Sequence, residues 1–181
     1  MRPRLIKLTP EYNIKPFDCE DADLNGFLLE TDSSIPNARH HTVELLAVTY
    51  LIEDLDANQT IAYFSLLNDK IEREITDTNA WNRLSRKLPN IKRRSSHPSV
   101  KVGRLAVSKK YQGQNWGKQI LSFLKEWFTH GNKTGCRYIT VDALRTAIEF
   151  YEKSDFKVLV TPKDNDETVL MYYDLKKFVS K

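Results

Sequence analysis

The feature that most constrains the fold is a strand–turn–helix pattern over residues 100–131. Val100, Val102 and residues 105–107 form an apolar run that Gly103 interrupts, as a bulge or a close backbone approach would. A polar turn, QGQNWG, follows at residues 112–117. Apolar residues then recur at helical spacing and predict a helix that ends near Gly131, with a buried face of Trp116, Ile120, Leu121, Leu124, Trp127 and Phe128. The face predicted to meet solvent carries Lys118, Gln119, Ser122, Lys125 and Glu126.

A polar, glycine-containing turn between a strand and a helix is suited to binding an anion. The first backbone N–H groups of a helix have no intrahelical partner and carry the positive end of the helix dipole. A glycine allows a ligand to approach them closely. No Gly-Lys-Ser/Thr or G-x-G-x-x-G pattern is present, so neither a P-loop nor a Rossmann turn is indicated. An ordinary strand-to-helix connection is the alternative.

A second motif, AIEFYEKSDF, lies at residues 147–156, C-terminal to the turn and its helix. Together the two motifs resemble the GNAT family of acetyl-CoA-dependent N-acetyltransferases. The turn resembles the Gln/Arg-x-x-Gly-x-Gly/Ala signature of the family, with Asn115 where the middle glycine is expected. Residues 147–156 resemble A-x-x-F-Y-x-x-x-G-F, with Asp155 in place of the glycine. Asn tolerates a left-handed backbone better than other non-glycine residues, and Asp can serve a helix C-terminal turn.

Length and composition favour one globular domain over residues 1–181. Hydrophobic residues make up 40% of the chain, which is enough for one core. No apolar run is long enough to span a bilayer, and no signal peptide is indicated. The two cysteines are far apart in sequence, so a disulfide framework is not expected. We therefore expect a cytoplasmic location. A net charge of +4 is compatible with an anionic partner but does not require one.

The resemblance implies an α/β (α+β) fold, a mixed and mostly antiparallel sheet flanked by helices. The local patterns predict a first strand at residues 4–8 and a helix that begins at the segment DCED, residues 18–21, with three acidic side chains. They predict a β-hairpin of residues 43–52 and 61–67, and a short helix lined by Trp81, Leu84 and Leu88. Further predictions are a strand at 138–141, a capping box of Thr146 and Glu149, and closing strands at 156–160 and 168–175.

The resemblance also implies where acetyl-CoA, the cosubstrate, would bind, with no metal required. Backbone N–H groups of the turn and the first helical residues would hold the pyrophosphate, and strand backbone before the turn would hold the pantetheine arm and the thioester oxygen. These positions are Leu105, Ala106, Val107, Gln112, Gly113, Gln114, Asn115, Trp116, Gly117 and Lys118.

Tyr151 is the candidate catalytic residue. The resemblance makes it the general acid that protonates the CoA thiolate, and a phenol within hydrogen-bond reach can do so. A packed aromatic with a satisfied hydroxyl is the alternative. No Cys or Ser stands in a nucleophile context, which favours direct attack by the amine in a ternary complex over an acetyl-enzyme.

A general base is not evident from the sequence. Residues 100–107 hold no carboxylate and no histidine, and Glu44 and Glu149 are more typical of surface charges. A lysine amine with a pKa near 10.4 must lose a proton before it attacks, whereas an α-amine, at about 7.7 to 8.0, is already partly neutral. The missing base favours an α-amine acceptor or a proton path through water.

A basic segment is the other informative feature. Residues 83–101 contain no Asp or Glu. Their basic residues are Arg83, Arg86, Lys87, Lys92, Arg93, Arg94 and Lys101, and His97 lies among them. Such a segment could bind a phosphate backbone, and Arg93 and Arg94 are the candidate substrate contacts. A solvated loop or a contact with the CoA 3′-phosphate are the alternatives.

Short motifs narrow the resemblance to one branch of the family. They are DLNGFL at residues 23–28, IAYFSL at 61–66, GRLAV at 103–107, YQGQ at 111–114 and VDA at 141–143. This branch includes bacterial toxins that acetylate the α-amine of aminoacyl-tRNA, often beside an antitoxin. The resemblance thus implies acetyl-CoA, an amine acceptor such as aminoacyl-tRNA, an antitoxin and a second copy of the chain as candidate partners, without a membrane. The alternative function is a non-catalytic CoA-binding or RNA-binding module.

Overall fold

The computed structural model describes residues 1–32, 34–86, 95–130 and 134–179. Its strands form one seven-stranded sheet in the order β1-β2-β3-β4-β5-β7-β6. The strands are β1 Pro3–Lys7, β2 Val48–Asp54, β3 Gln59–Glu72, β4 Ser96–Val107, β5 Tyr138–Leu144, β6 Lys157–Val158 and β7 Thr168–Asp174. The helices are α1 Ala22–Leu29, α2 Ala38–Val43, α3 Thr78–Ser85, α4 Trp116–Trp127, α5 Ile148–Glu152 and α6 Lys176–Val179. A mixed sheet flanked by helices confirms the predicted α/β class.

The chain comprises two compact units. The first unit contains Met1–Leu67 and Val102–Ile120, and the second contains Asn68–Lys101 and Leu121–Lys181. Strands β3 and β4 and helix α4 contribute residues to both units. That residues 1–181 form a single domain stays a prediction.

In the first unit, β1, β2 and β3 pair antiparallel, and β2 and β3 form the predicted hairpin. Helix α1 begins at its cap Asp21, whose carboxylate accepts a hydrogen bond from the Leu24 N–H at 2.9 Å. Phe27 and Leu28 of this helix are buried against Leu51 and other apolar residues of the unit. The predicted acidic start of the helix is therefore confirmed.

In the second unit, β5 pairs antiparallel with β7, and β7 with β6. Helix α3 buries Trp81 and Leu84 in a cluster with Tyr138 and Tyr172. These two helical residues were predicted to line a short helix, and the third, Leu88, lies outside the described residues.

Two local predictions are wrong. The strand predicted from residue 43 begins only at Val48, because residues 38–43 form helix α2. Asn37 caps this helix, and its side chain accepts a hydrogen bond from the His40 N–H at 2.9 Å. The predicted capping box is absent as well. Thr146 lies in a 3₁₀ turn before α5, and no side chain caps that helix.

No helix in the described part of the chain is both long enough and apolar enough to cross a membrane. Within the same residues, no three or more His, Cys, Asp or Glu side chains are arranged to hold a metal ion.

Candidate functional site

The turn between β4 and α4 has the left-handed backbone that its sequence predicted. Gly113 has a φ of 74° and Asn115 a φ of 63°, so Asn115 adopts the conformation expected of the glycine it replaces. The Asn115 carbonyl accepts a hydrogen bond from the Gln119 N–H at 3.0 Å, which starts helix α4. Residues 112–115 and Lys118 are exposed, whereas Trp116 and Gly117 are half-buried. The first helical amides therefore lie beside an exposed turn, where a bound anion could accept their hydrogen bonds.

Several contacts within the first unit brace this turn. The Gln112 side-chain amide donates to the Val107 carbonyl at 3.0 Å, across the short 3₁₀ turn that ends β4. Tyr111, the last residue of that turn, is buried, and its hydroxyl donates to Asp54 at the end of β2 at 3.4 Å. The N–H of Ser108 donates to the Ile61 carbonyl at 2.8 Å. The segment between β4 and α4 is thereby tied to β2 and β3.

The strand residues predicted to hold the pantetheine arm belong to the same unit. Ala106 is buried among the core residues of the first unit, while Leu105 and Val107 are half-buried. A β-carbon added at Gly103 would lie 2.7 Å from Cδ2 of Leu67. The crowding comes from a side chain, since the nearest backbone atom, the Ser65 carbonyl oxygen, is 3.9 Å away, so the predicted close backbone approach is not confirmed.

Tyr151 belongs to the second unit and is buried in helix α5. Its ring meets those of Phe150 and Phe156 edge to face, with centroids 5.0 and 5.5 Å away. Burial raises the pKa of Tyr151 to about 12. The phenol is therefore fully protonated at neutral pH and can act as a hydrogen-bond donor.

Helix α5 ends in a Schellman turn at the position of the second motif. The Phe156 N–H donates to the Tyr151 carbonyl at 3.0 Å, and the Asp155 N–H donates to the Glu152 carbonyl at 2.9 Å. Asp155 has a φ of 65° and so takes the left-handed position where the family has glycine. The contact between the Tyr151 and Phe156 rings is the apolar contact that accompanies such turns.

Neither glutamate considered as a general base occupies a buried site. Glu44 was expected on a strand but follows helix α2 as its exposed cap. Glu149 is exposed and forms an ion pair with Lys153 at 2.7 Å, which lowers the pKa of its carboxyl group. Both are surface charges, as their sequence context suggested.

The basic segment divides into residues with different surroundings. Arg83 and Arg86 are exposed and, with Asn79 and Asn82, line a surface cavity of about 430 Å³ beside α3. Lys101 is paired with Asp142. His97 does not join a basic surface, because it is buried and its ring stacks on Trp81 with the centroids 4.6 Å apart. Lys87, Lys92, Arg93 and Arg94 lie outside the described residues.

The sequence pattern missed one site feature, the environment of Lys125. This residue was predicted to face solvent but is buried in the second unit. Its ammonium group donates to the Ser154 carbonyl at 2.6 Å, within the turn that ends α5. A helical period cannot reveal this partner, which comes from a distant part of the chain.

Comparison with known proteins finds a family match in part of the chain. Residues 85–158 match the family model described as "Acetyltransferase (GNAT) domain". This match covers both motifs, the turn of residues 112–117 and the α5 segment. This segment of the chain thus matches the family that the two motifs resemble. No curated protein matches the chain.

Solved structures show the same fold over the whole chain. A Tyr-to-Phe mutant of KacT is 23% identical, with a TM-score of 0.76 and coverage of 99% of both chains. AtaT complexed with acetyl-methionyl-tRNAfMet is 22% identical, with a TM-score of 0.76 and coverage of 99% of this chain and 98% of the other. A Tyr-to-Phe mutant of the AtaT toxin, bound to the C-terminus of the antitoxin AtaR and acetyl-CoA, is 22% identical. Its TM-score is 0.69, and the match covers 97% of this chain and 94% of the other.

Proposed function

We propose that this chain is an acetyl-CoA-dependent N-acetyltransferase whose acceptor is the α-amine of aminoacyl-tRNA. The observation that carries the proposal is the strand–turn–helix site, with left-handed Gly113 and Asn115 opening α4, inside the segment that matches the GNAT domain. The similarity to AtaT complexed with acetyl-methionyl-tRNAfMet supports the choice of acceptor.

In this proposal the first unit binds acetyl-CoA. The backbone amides of Gln112, Gly113, Gln114, Asn115, Trp116, Gly117 and Lys118 donate to the pyrophosphate oxygens. The backbone of Leu105, Ala106 and Val107 holds the pantetheine arm and polarises the thioester carbonyl. The cosubstrate supplies an activated acetyl group, so the protein need only orient it and stabilise the oxyanion that forms as the amine attacks.

Tyr151 acts as the general acid for the departing sulfur. When the tetrahedral intermediate collapses, the C–S bond breaks and the sulfur receives the phenolic proton, which solvent later restores. Transfer from a phenol of pKa about 12 to a thiolate of pKa about 8.5 costs about 5 kcal/mol. Turnover of about one per second corresponds to a barrier of about 17 kcal/mol, so this uphill step is compatible with catalysis.

The acceptor amine needs no buried base. An α-amine with a pKa of about 7.7 to 8.0 is partly neutral at physiological pH, and the proton that its nitrogen must lose after attack can pass to water. Glu44 and Glu149 are exposed, which supports this simpler route. A lysine side chain, at a pKa near 10.4, would be a poor acceptor without such a base.

The acceptor RNA binds through basic side chains. Arg83 is preoriented because its Nε donates to the Tyr172 hydroxyl at 3.1 Å and its guanidinium lies 5.9 Å from that ring. Arg83 of α3 and Arg86, which follows that helix, line the same surface cavity and can contact phosphates. Arg93 and Arg94 are proposed from the sequence alone as further contacts.

The same proposal includes a cytoplasmic location, where acetyl-CoA and charged tRNA occur together. It also includes an antitoxin partner, supported by the similarity to AtaT bound to the C-terminus of AtaR. A homodimer is proposed only from the family resemblance.

The decisive experiment incubates the purified chain with acetyl-CoA and charged tRNA. Free-thiol release and acetylation of the aminoacyl group are measured, with lysine peptides and free amino acids as competing acceptors. We expect both signals with aminoacyl-tRNA and a loss of at least about 100-fold in kcat for Tyr151→Phe, as for other general acids. Tyr50→Phe, which removes a half-buried hydroxyl on β2, is the matched control and should retain activity.

Two other outcomes would assign the chain to a different class. Acetyl-CoA binding without thiol release on any amine would indicate a CoA-binding module. Salt-sensitive RNA binding that is independent of acetyl-CoA, again without turnover, would indicate an RNA-binding module.

A further inference from the structure

Lys125 is a buried cation with a defined partner in the second unit. Its side chain is 7% exposed, although the helical pattern of α4 places it among polar residues. The ammonium group donates to the Ser154 carbonyl at 2.6 Å and lies 4.1 Å from the centroid of the Tyr173 ring. Burying an ammonium group is unfavourable unless it is well paired, so this arrangement specifies one geometry for both elements.

The partner carbonyl belongs to the turn that carries Tyr151. Ser154 donates its own N–H to the Tyr151 carbonyl at 3.0 Å, and Phe156 donates to the same carbonyl at 3.0 Å. The C-terminal carbonyls of a helix favour a nearby cation. Lys125 also lies 5.7 Å from the centroid of the Phe156 ring, which in turn contacts the Tyr151 ring. Backbone and ring contacts thus link the ammonium group to Tyr151 by two short routes.

We propose that Lys125 is a positioning residue that fixes the Tyr151 phenol for proton donation. The inference rests on the proposed function, because it assigns Lys125 a role in that reaction. Lys125 acts through the Ser154 carbonyl and the Phe156 ring, and its ammonium proton is not transferred. We call these two contacts the Lys125 clamp. A displacement of about 1 Å at a reacting group can cost about 100-fold in rate, so loss of the clamp is expected to lower kcat.

The test compares Lys125→Met with Lys153→Met. Methionine keeps an unbranched chain one atom shorter than that of lysine and has no charge. Lys153 is an exposed lysine near α5 whose pair with Glu149 lies at the surface. For Lys125→Met we expect kcat to fall about 10- to 100-fold while the KM for acetyl-CoA changes less than about threefold. Lys153→Met should leave both parameters within about twofold.

A double-mutant cycle separates positioning from general destabilisation. In the Tyr151→Phe background, Lys125→Met should have almost no further effect on kcat, because the group that it positions is already absent. An equal loss of kcat in both backgrounds would overturn the proposal. So would an unchanged kcat with a lower melting temperature, which would show that Lys125 only stabilises the fold.

Hydrogen exchange tests the clamp without any turnover. Lys125→Met should speed exchange of the Ser154 and Phe156 amides by about 10-fold relative to Lys153→Met, because local opening becomes easier. If the wild-type chain acetylates no amine, the proposed function fails, whereas unchanged exchange at these amides contradicts the clamp itself. Should Lys125→Met fail to fold, Lys125→Arg takes its place. The longer, forked cation should shift the turn and lower kcat, and full activity in that variant would overturn the proposal.

Discussion

The N–H of Phe156 donates to the Tyr151 carbonyl at 3.0 Å, and the rings of the same two residues meet edge to face at 5.5 Å. This double contact closes the turn after the helix that carries the proposed acid. It is possible only because Asp155, between them in sequence, adopts a φ of 65°. The backbone conformation of one residue outside the helix thus shapes the surroundings of Tyr151.

Substitutions at Asp155 should separate backbone strain from side-chain chemistry. A left-handed conformation costs a non-glycine residue roughly 1 kcal/mol, and Asp tolerates it better than Ala. We therefore expect Asp155→Gly to raise the free energy of unfolding by up to about 1 kcal/mol and Asp155→Ala to lower it by about 1 kcal/mol. Urea unfolding measures both. Equal stability of the wild type and the Ala variant would contradict this account.

Asn115 provides the corresponding test in the anion-binding turn. Asn115→Gly should keep acetyl-CoA affinity, because glycine adopts the same φ without strain. Asn115→Val should weaken binding about 10-fold, since a β-branched residue strongly disfavours the left-handed conformation. Titration calorimetry measures the affinity.

The matched control is Asn58→Val. Asn58 has a φ of 51° in the connection between β2 and β3, so valine there imposes a similar backbone strain outside the proposed site. This variant should lose stability but bind acetyl-CoA as well as the wild type. A loss of affinity in both variants would mean that the Asn115 effect is a general one.

Helical period and turn chemistry predicted the parts of the structure that local interactions determine. Trp81 and Leu84 are buried as their spacing indicated, and the Asn115 turn adopts the expected conformation. The wrong predictions, for helix α2 and for Lys125, have two different causes. Helix α2 has only six residues, too few to show a helical period in the sequence. Lys125 was misplaced because its stabilising partner, Ser154, is 29 residues away in sequence.

The roles of site residues lie beyond what the pattern alone could predict. Only the family resemblance predicts Tyr151 and residues 112–118 as site residues. The prediction of a basic surface is wrong at His97, because a run of charged residues does not indicate which side chains are exposed. His97 stacks on Trp81 in the interior, whereas Arg83 and Arg86 meet solvent.

The exposed arginines of α3 should contribute to RNA affinity rather than to acetyl-CoA binding. Replacing both Arg83 and Arg86 by Gln removes up to two phosphate contacts. The slope of log affinity against log salt should then fall by about 1.4 to 1.8, the upper figure applying to duplex segments. The KM for acetyl-CoA should stay unchanged. Filter binding of tRNA at several salt concentrations measures the slope.

A control double variant removes the same charge elsewhere. Arg4 and Lys7 are exposed on β1, and replacing both by Gln lowers the net charge equally. If this control reduces the slope as much as the α3 variant does, the effect reflects overall charge and not a defined contact.

Arg137 and Asp174 form the best-buried ion pair in the described part of the second unit. Two nitrogens of Arg137 contact the two carboxylate oxygens at 2.6 and 3.2 Å, and Asp174 is 5% exposed. Arg137→Ala should lower the free energy of unfolding by about 3 kcal/mol, because it leaves a buried carboxylate without its partner. Arg137→Lys should cost less, since it keeps the charge but loses the bidentate geometry. Lys153→Met, which breaks an exposed pair, should have little effect in the same unfolding experiment.

The buried phenol of Tyr151 should make stability depend on alkaline pH in a predictable direction. Burial raises its pKa from 10.0 to about 12 in the folded chain, so the folded state favours the neutral phenol. The stabilisation is complete below pH 10 and is lost as the pH rises from 10 towards 12. Relative to Tyr151→Phe, which cannot ionise, the wild type should lose about 1.4 kcal/mol between pH 8 and pH 11. Urea unfolding of both proteins at pH 8, 10 and 11 measures this difference. A constant difference across that range would show that the phenol is accessible to solvent, and the argument that Tyr151 keeps its proton through burial would then fail.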